Sequence, residues 1–193
     1  MSALLLIFSA LTTLFATLEQ RVLEADFTLT VSADNAPSSA MAYPGTVTMQ
    51  GRQFLFSLMG TQAAYDGATM YLYEEDTDEL TLSTPTEEEL VETNPLLLAQ
   101  YMTSVCNVTE RHVNPADEGS DILVVLTPKD AASVPFTRLT LRLTSAQEPL
   151  PVSLEMTEKH QTTLLKLRNA RYTDASPSFR LSPPDAYVND LRE

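Results

Sequence analysis

A chain of 193 residues is long enough to bury a substantial core as one domain, residues 1–193, without disulfide or metal staples. Its 26 acidic residues against 12 basic ones give a formal net charge of −14, which opposes binding to nucleic acid or to an anionic membrane surface. One cysteine, Cys106, excludes an internal disulfide, and 12 prolines at or outside the strand-like runs, with no tryptophan, favour an all-β chain rich in turns.

Residues 1–23 admit two readings. Leu4, Phe8, Leu11, Phe15, Leu18 and Val22 recur at steps of four and three, the stripe of a helix whose polar face includes Glu19, Gln20 and Arg21. The apolar run 3–16 also reads as a signal remnant, although no basic segment precedes it and no clear A-x-A site follows. It is too short to span a bilayer. A first strand is expected over residues 27–31, followed by a loop rich in Ser, Ala, Asp, Asn and Pro up to Pro44, a composition that suggests mobility.

Residues 43–73 read as four short strands. Val47 and Met49 alternate with Thr46, Thr48 and Gln50, and Phe54, Phe56 and Leu58 alternate with Gln53, Leu55 and Ser57, the period of a half-buried strand. Gly51-Arg52 supplies one hairpin turn, while Gly60 and Asp66-Gly67 mark two further turns ahead of a strand over 69–73. The acidic stretch 74–78 lacks the glycine and distal glutamate of a calcium loop and reads as a solvated turn before a strand at 79–83.

Thr86 and Glu89 have capping-box spacing, and Asn94-Pro95 places a cap and a first-turn proline before LLLAQYM, so two short helices are expected over 86–103. Leu96, Leu97, Leu98, Tyr101 and Met102 make the second apolar on most of its circumference, so it must cover an apolar surface. Strands return at 106–112, 122–127, 136–144, 152–158 and 162–172, with Leu139, Leu141 and Leu143, then Val152, Leu154 and Met156, on one parity. Roughly eleven strands in hairpin order suit a curved sheet or barrel.

Catalytic patterns are missing. There is no G-x-S-x-G elbow, H-E-x-x-H pair, P-loop or dinucleotide fingerprint. His112 stands near a strand end, His160 in a turn, and Cys106 reads as a small buried apolar residue rather than a nucleophile. An apolar inner face capped by an apolar helix can pack solid or enclose a cavity, and Phe54, Phe56, Met70 and Leu141 fit either outcome.

Four landmarks occur in a telling order: GTVTM with the Phe-rich strand and YDGATMYLY, then Asn94-Pro95 before the Leu-rich helix, VLTPKD at 125–130, and FRLSPPDAYVND at 179–190. Together they resemble the LolA family of periplasmic lipoprotein carriers. The resemblance implies an unclosed antiparallel half-barrel with a helical lid and an apolar cavity for lipoprotein acyl chains, working as a monomer without cofactor or metal. It further implies cargo received from an inner-membrane, ATP-driven release complex and delivered to the outer membrane, with a receptor there as a candidate acceptor.

On that resemblance the lipid-binding wall is expected at Val47, Met49, Phe54, Phe56, Met70, Leu72, Leu97, Tyr101, Met102, Leu141, Leu143 and Met156. Family members carry a basic residue followed by proline in the first hairpin, thought to hold the lid, whereas this chain has Gln50-Gly51-Arg52, with Arg52 displaced by about two places. A LolA-like domain also serves in sensors of envelope stress that bind lipid or lipoprotein, which is the alternative reading.

Overall fold

The computed structural model describes residues 9–33, 41–117, 119–132, 134 and 136–192. Helix α1 (Ala10–Gln20) opens at Ser9, whose side chain accepts the amide of Thr12. Glu110, from a distant strand, accepts the amides of Ala10 and Leu11, placing a carboxylate where the helix dipole favours one. Leu11, Leu14 and Leu18 are its buried face. The expected stripe changes at both ends: Leu4 and Phe8 lie outside the described residues, and Val22 is not helical because Arg21 is already extended.

Six strands follow: β1 (Val22–Ala33), β2 (Met41–Gln50), β3 (Gln53–Leu58), β4 (Thr61–Tyr65), β5 (Met70–Glu74) and β6 (Glu79–Ser83). Helices α2 (Glu87–Thr93) and α3 (Pro95–Met102) then lead to β7 (Cys106–His112), β8 (Ile122–Pro128), β9 (Phe136–Leu143), β10 (Pro151–Glu158), β11 (Gln161–Thr173) and β12 (Tyr187–Asp190). They form one 12-stranded sheet in the order β12, β6, β5, β4, β3, β2, β1, β11, β10, β9, β8, β7. The ladders are antiparallel except for β12, which runs parallel to β6. The outermost strands, β12 and β7, do not pair, so the architecture is an unclosed half-barrel.

Three strand readings are corrected. β1 begins at Val22 rather than Phe27, continuing along β11 through a bulge between Glu24 and Asp26. β2 begins at Met41 and contains Pro44; β3 pairs with it only from Gly45 onward, so β2 has a free flank at Pro44 where a missing N–H is tolerated. β12 is the added strand, arriving after Pro183-Pro184 with no alternation to announce it. The loop expected between the first two strands has its central part, residues 34–40, outside the described residues.

Cross-strand partners share a face. Val47, Phe56, Ala63 and Leu72 therefore form one row, and Met49, Phe54, Tyr65 and Met70 the next. Leu29, Leu165, Leu154, Leu141 and Val124 continue the same face across the other half. Helix α1 packs on both β2 and β8. These are five strand spacings apart, about 24 Å on a flat sheet at roughly 4.8 Å per spacing, whereas an 11-residue helix is about 16 Å long. The sheet must curl around the helix. Leu11, Leu14 and Leu18 then meet Leu23, Met49, Phe54, Val124, Leu139, Leu141 and Leu143 in the main core, which also takes in Leu90, Leu96, Leu97 and Met102 from the other helices.

A second cluster lies on the outer face. Ala64, Tyr71, Leu80 and Leu82 are covered by Leu181 and Ala186 of the C-terminal segment. Among the described residues no helix is long and apolar enough to cross a membrane.

Candidate ligand cavity

The helix does not cover the whole inner face. Its C-terminal end is tied to the β2–β3 turn, where the Gly51 amide donates to the Leu18 carbonyl at 2.7 Å, so α1 lies over the Met49 end of β2. Toward the opposite end of that strand, among the described residues, α1 does not cover the face. A cavity of about 560 Å³ opens there, lined by Phe27 and Leu29 of β1, Phe56 and Leu58 of β3, Met59 of the adjoining turn, Thr61 and Ala63 of β4, Leu165 of β11 and Thr93 of α2. Its size falls within the roughly 300–1,000 Å³ of small-molecule sites. Among the described residues, no ionisable side chain lines it. The hydroxyl of Thr93 donates to the Glu89 carbonyl at 2.7 Å, which satisfies the polar group that α2 brings to the wall.

The aromatic wall depends on a glycine. Phe27 stands opposite Gly45, and a Cβ at Gly45 would run into the Phe27 ring and the Ser57 carbonyl. Phe27 then meets Phe56 edge-on at 6.1 Å between centroids, and Phe56 leans on Phe54 at 5.3 Å, spacings at which aromatic rings attract.

Two helices close one side. Thr86 and Glu89 form a reciprocal capping box at the start of α2, and Asn94, fully buried, accepts the amides of Leu96 and Leu97 at the start of α3. Leu90, Leu96, Leu97, Ala99 and Met102 are buried beneath them. On the outside, Arg52 Nη2 sits 2.6 Å from Glu87 Oε2, with side chains 48% and 72% exposed. An exposed pair of this kind contributes at most about 1 kcal/mol. Arg52 therefore touches α2 from the first hairpin, despite its displaced position and the absence of a following proline.

Of the residues expected to bind lipid, Phe56 lines the cavity. Val47, Met49, Phe54, Leu97, Met102, Leu141 and Leu143 are instead buried in the packed core, and Met70 and Met156 are half-buried against it. Leu72 has the inner parity but is 37% exposed. Tyr101 is 58% exposed and borders a separate groove with Arg52, Glu87, Leu97 and Gln100. Phe27, Leu29, Leu58, Met59 and Leu165 were absent from the expected set, although alternation over 27–31 and the run Leu164-Leu165 carried a signal for three of them.

Outside the cavity, Nδ1 of His112 lies 3.1 Å from the Ser120 carbonyl, and His160 occupies the exposed turn between β10 and β11. Cys106 is buried, which pushes its thiol up despite the counteracting charge of Lys129, the reverse of an activated thiolate. Among the described residues no three His, Cys, Asp or Glu side chains are grouped to hold a metal ion.

No family model and no curated protein sequence matches the chain. Among solved structures, an uncharacterized conserved protein from Thermus thermophilus is similar over 95% of this chain and 97% of its own, with a TM-score of 0.60 and 14% identity. A LolA superfamily protein from Nitrosomonas europaea is similar over 88% of this chain and 96% of its own, at TM-score 0.43 and 10% identity. LprF from Mycobacterium bovis is similar over 92% and 95%, at TM-score 0.45 and 17% identity. At 14% identity the likeness to the Thermus protein is one of fold, shared over nearly the full length of both chains.

Proposed function

We propose that this chain is a periplasmic carrier that takes the acyl chains of lipoproteins into its cavity and delivers them to the outer membrane, receiving cargo from an ATP-driven complex of the inner membrane. The observation that carries the reading is a cavity of about 560 Å³, walled mostly by apolar side chains, on the inner face of the half-barrel. A folded chain that buries Leu141 and Phe54 completely yet leaves Phe56 and Leu58 against a void forgoes dispersion contacts there, a loss an apolar ligand would restore.

The magnitudes fit transport without chemistry. Exposing one sixteen-carbon chain to water costs about 13 kcal/mol at roughly 0.8 kcal/mol per methylene, so unaided transfer between membranes is slow. A cavity that replaces most of that loss makes the chain mobile. The net charge of −14 keeps the carrier off anionic lipid surfaces between encounters. Arg52 and Glu87 hold α2 only weakly from outside, which suits a wall that must yield when cargo enters.

Phe56→Glu tests the assignment. A carboxylate at the cavity wall must be desolvated or must admit water, at a cost of several kcal/mol to a bound acyl chain. Affinity for a palmitoylated fluorescent peptide should fall by more than about tenfold, while the protein stays folded with a melting temperature lowered only by the lost packing on Phe27 and Phe54, because the new carboxylate borders the open cavity. A folded variant that binds normally would remove the cavity from the reading. A variant that unfolds would mark the region as solid core.

A further inference from the structure

The turn joining β3 to β4 is Met59-Gly60, with φ of 53° and 78°. Positive φ at both central positions marks a type I′ hairpin, for which Asn-Gly is preferred because asparagine adopts the left-handed region with little strain. The other described non-glycine residues with positive φ are Asp78, Asn169 and Asp185, side chains of the kind that tolerate it. Methionine is the exception. Packing within the protein does not explain it, since Met59 is 68% exposed. Yet its side chain borders the apolar cavity. A strained residue that the fold does not need, at the edge of a void, points toward function.

We infer that Met59 is a binding lip of the cavity, held in an unfavourable turn because its side chain covers a bound acyl chain where that chain leaves the protein. The inference rests on the carrier reading above. Exposure of the lining rises from 5% at Phe27 to 68% at Met59, so Phe27 belongs to the floor and Met59 to the rim. An unbranched thioether with three rotatable bonds can follow chains of differing shape. In the empty protein this apolar group meets water; with a chain crossing the rim it becomes buried, and the gain appears only in the loaded state.

Stability and binding should therefore respond in opposite directions. Met59→Asn installs the residue the turn prefers and removes the apolar lip, so the ligand-free protein should melt at the same temperature or higher. Its affinity for a palmitoylated fluorescent peptide should fall by about three- to tenfold, the share of a partly buried methionine. Met59→Leu, apolar but equally ill-suited to the turn, should bind within about twofold of the wild type. A lower melting temperature for Met59→Asn would make Met59 a structural residue and overturn the inference, as would unchanged binding by that variant, or equal losses in the asparagine and leucine variants. A wild type that binds no palmitoylated peptide removes the carrier reading itself; a wild type that binds while Met59→Asn binds equally well removes the lip alone.

Discussion

Gly45 sets the shape of the cavity through what it lacks. The Phe27 ring occupies the space its Cβ would fill, with the Ser57 carbonyl on the other side, so a larger residue must push the ring into the void or spread β2 from β3. Gly45→Val should destabilise the fold by about 1–3 kcal/mol in urea titrations, the usual cost of overpacking, and should weaken acyl binding as the cavity narrows. Unchanged stability would mean that Phe27 has another place to go. The requirement is hard to read in the sequence, where Gly45 merely opens the GTVTM run; its cause is the register that sets Phe27 opposite it across two strands. Phe56 was expected on the inner face because strand parity sets it with Phe54 and Leu58 and the family resemblance turns that parity inward. Parity could not separate Phe56 from Phe54, since which part of that face stays bare depends on where α1 ends.

At the level of elements, one carboxylate adds a latch to the C-terminal segment, which the β12–β6 ladder and Leu181 also hold on the sheet. Asp66 Oδ1 accepts the amides of Thr69 and Ala68, and Oδ2 accepts the Tyr71 hydroxyl and lies 2.8 Å from Nε of Arg180. Burial alone would raise the Asp66 pKa, but these donors outweigh it and the net shift is downward from the usual 3.8. A depressed carboxylate stabilises the fold above its unfolded pKa and loses that contribution as pH falls through the folded one. Asp66→Asn should therefore be less stable at neutral pH by about 1–3 kcal/mol, and its stability should decline less than that of the wild type on acidification below the usual carboxylate pKa. Parallel losses in both proteins would show that Asp66 carries no latch. The Asp-Gly turn was evident in the sequence, whereas its partner Arg180 and the parallel strand β12 were not, because both connect segments far apart in the chain. Capping, by contrast, is local: Thr86 with Glu89, and Asn94 before Pro95, placed α2 and α3 correctly.

Across the whole molecule, one helix divides the half-barrel into a solid end and a hollow one. Leu11, Leu14 and Leu18 fill the curve over Met49, Phe54 and Leu141, which gives the sheet a core of its own and lets the other end stay open without unfolding. The sequence left a packed barrel and a hollow one as rival outcomes, and the chain contains both. Period-two runs and their order made the open sheet legible; the division did not show, because the length of α1 relative to the sheet is a tertiary quantity. The central claim, that the hollow end carries lipoprotein acyl chains, is tested most directly by expressing the chain in a two-membrane bacterium, purifying it from the envelope without detergent and weighing it by native mass spectrometry. A bound mass corresponding to a di- or triacylated lipoprotein, and its absence from Phe56→Glu, is the expected result. A bare chain, or the same adduct on both proteins, would contradict it.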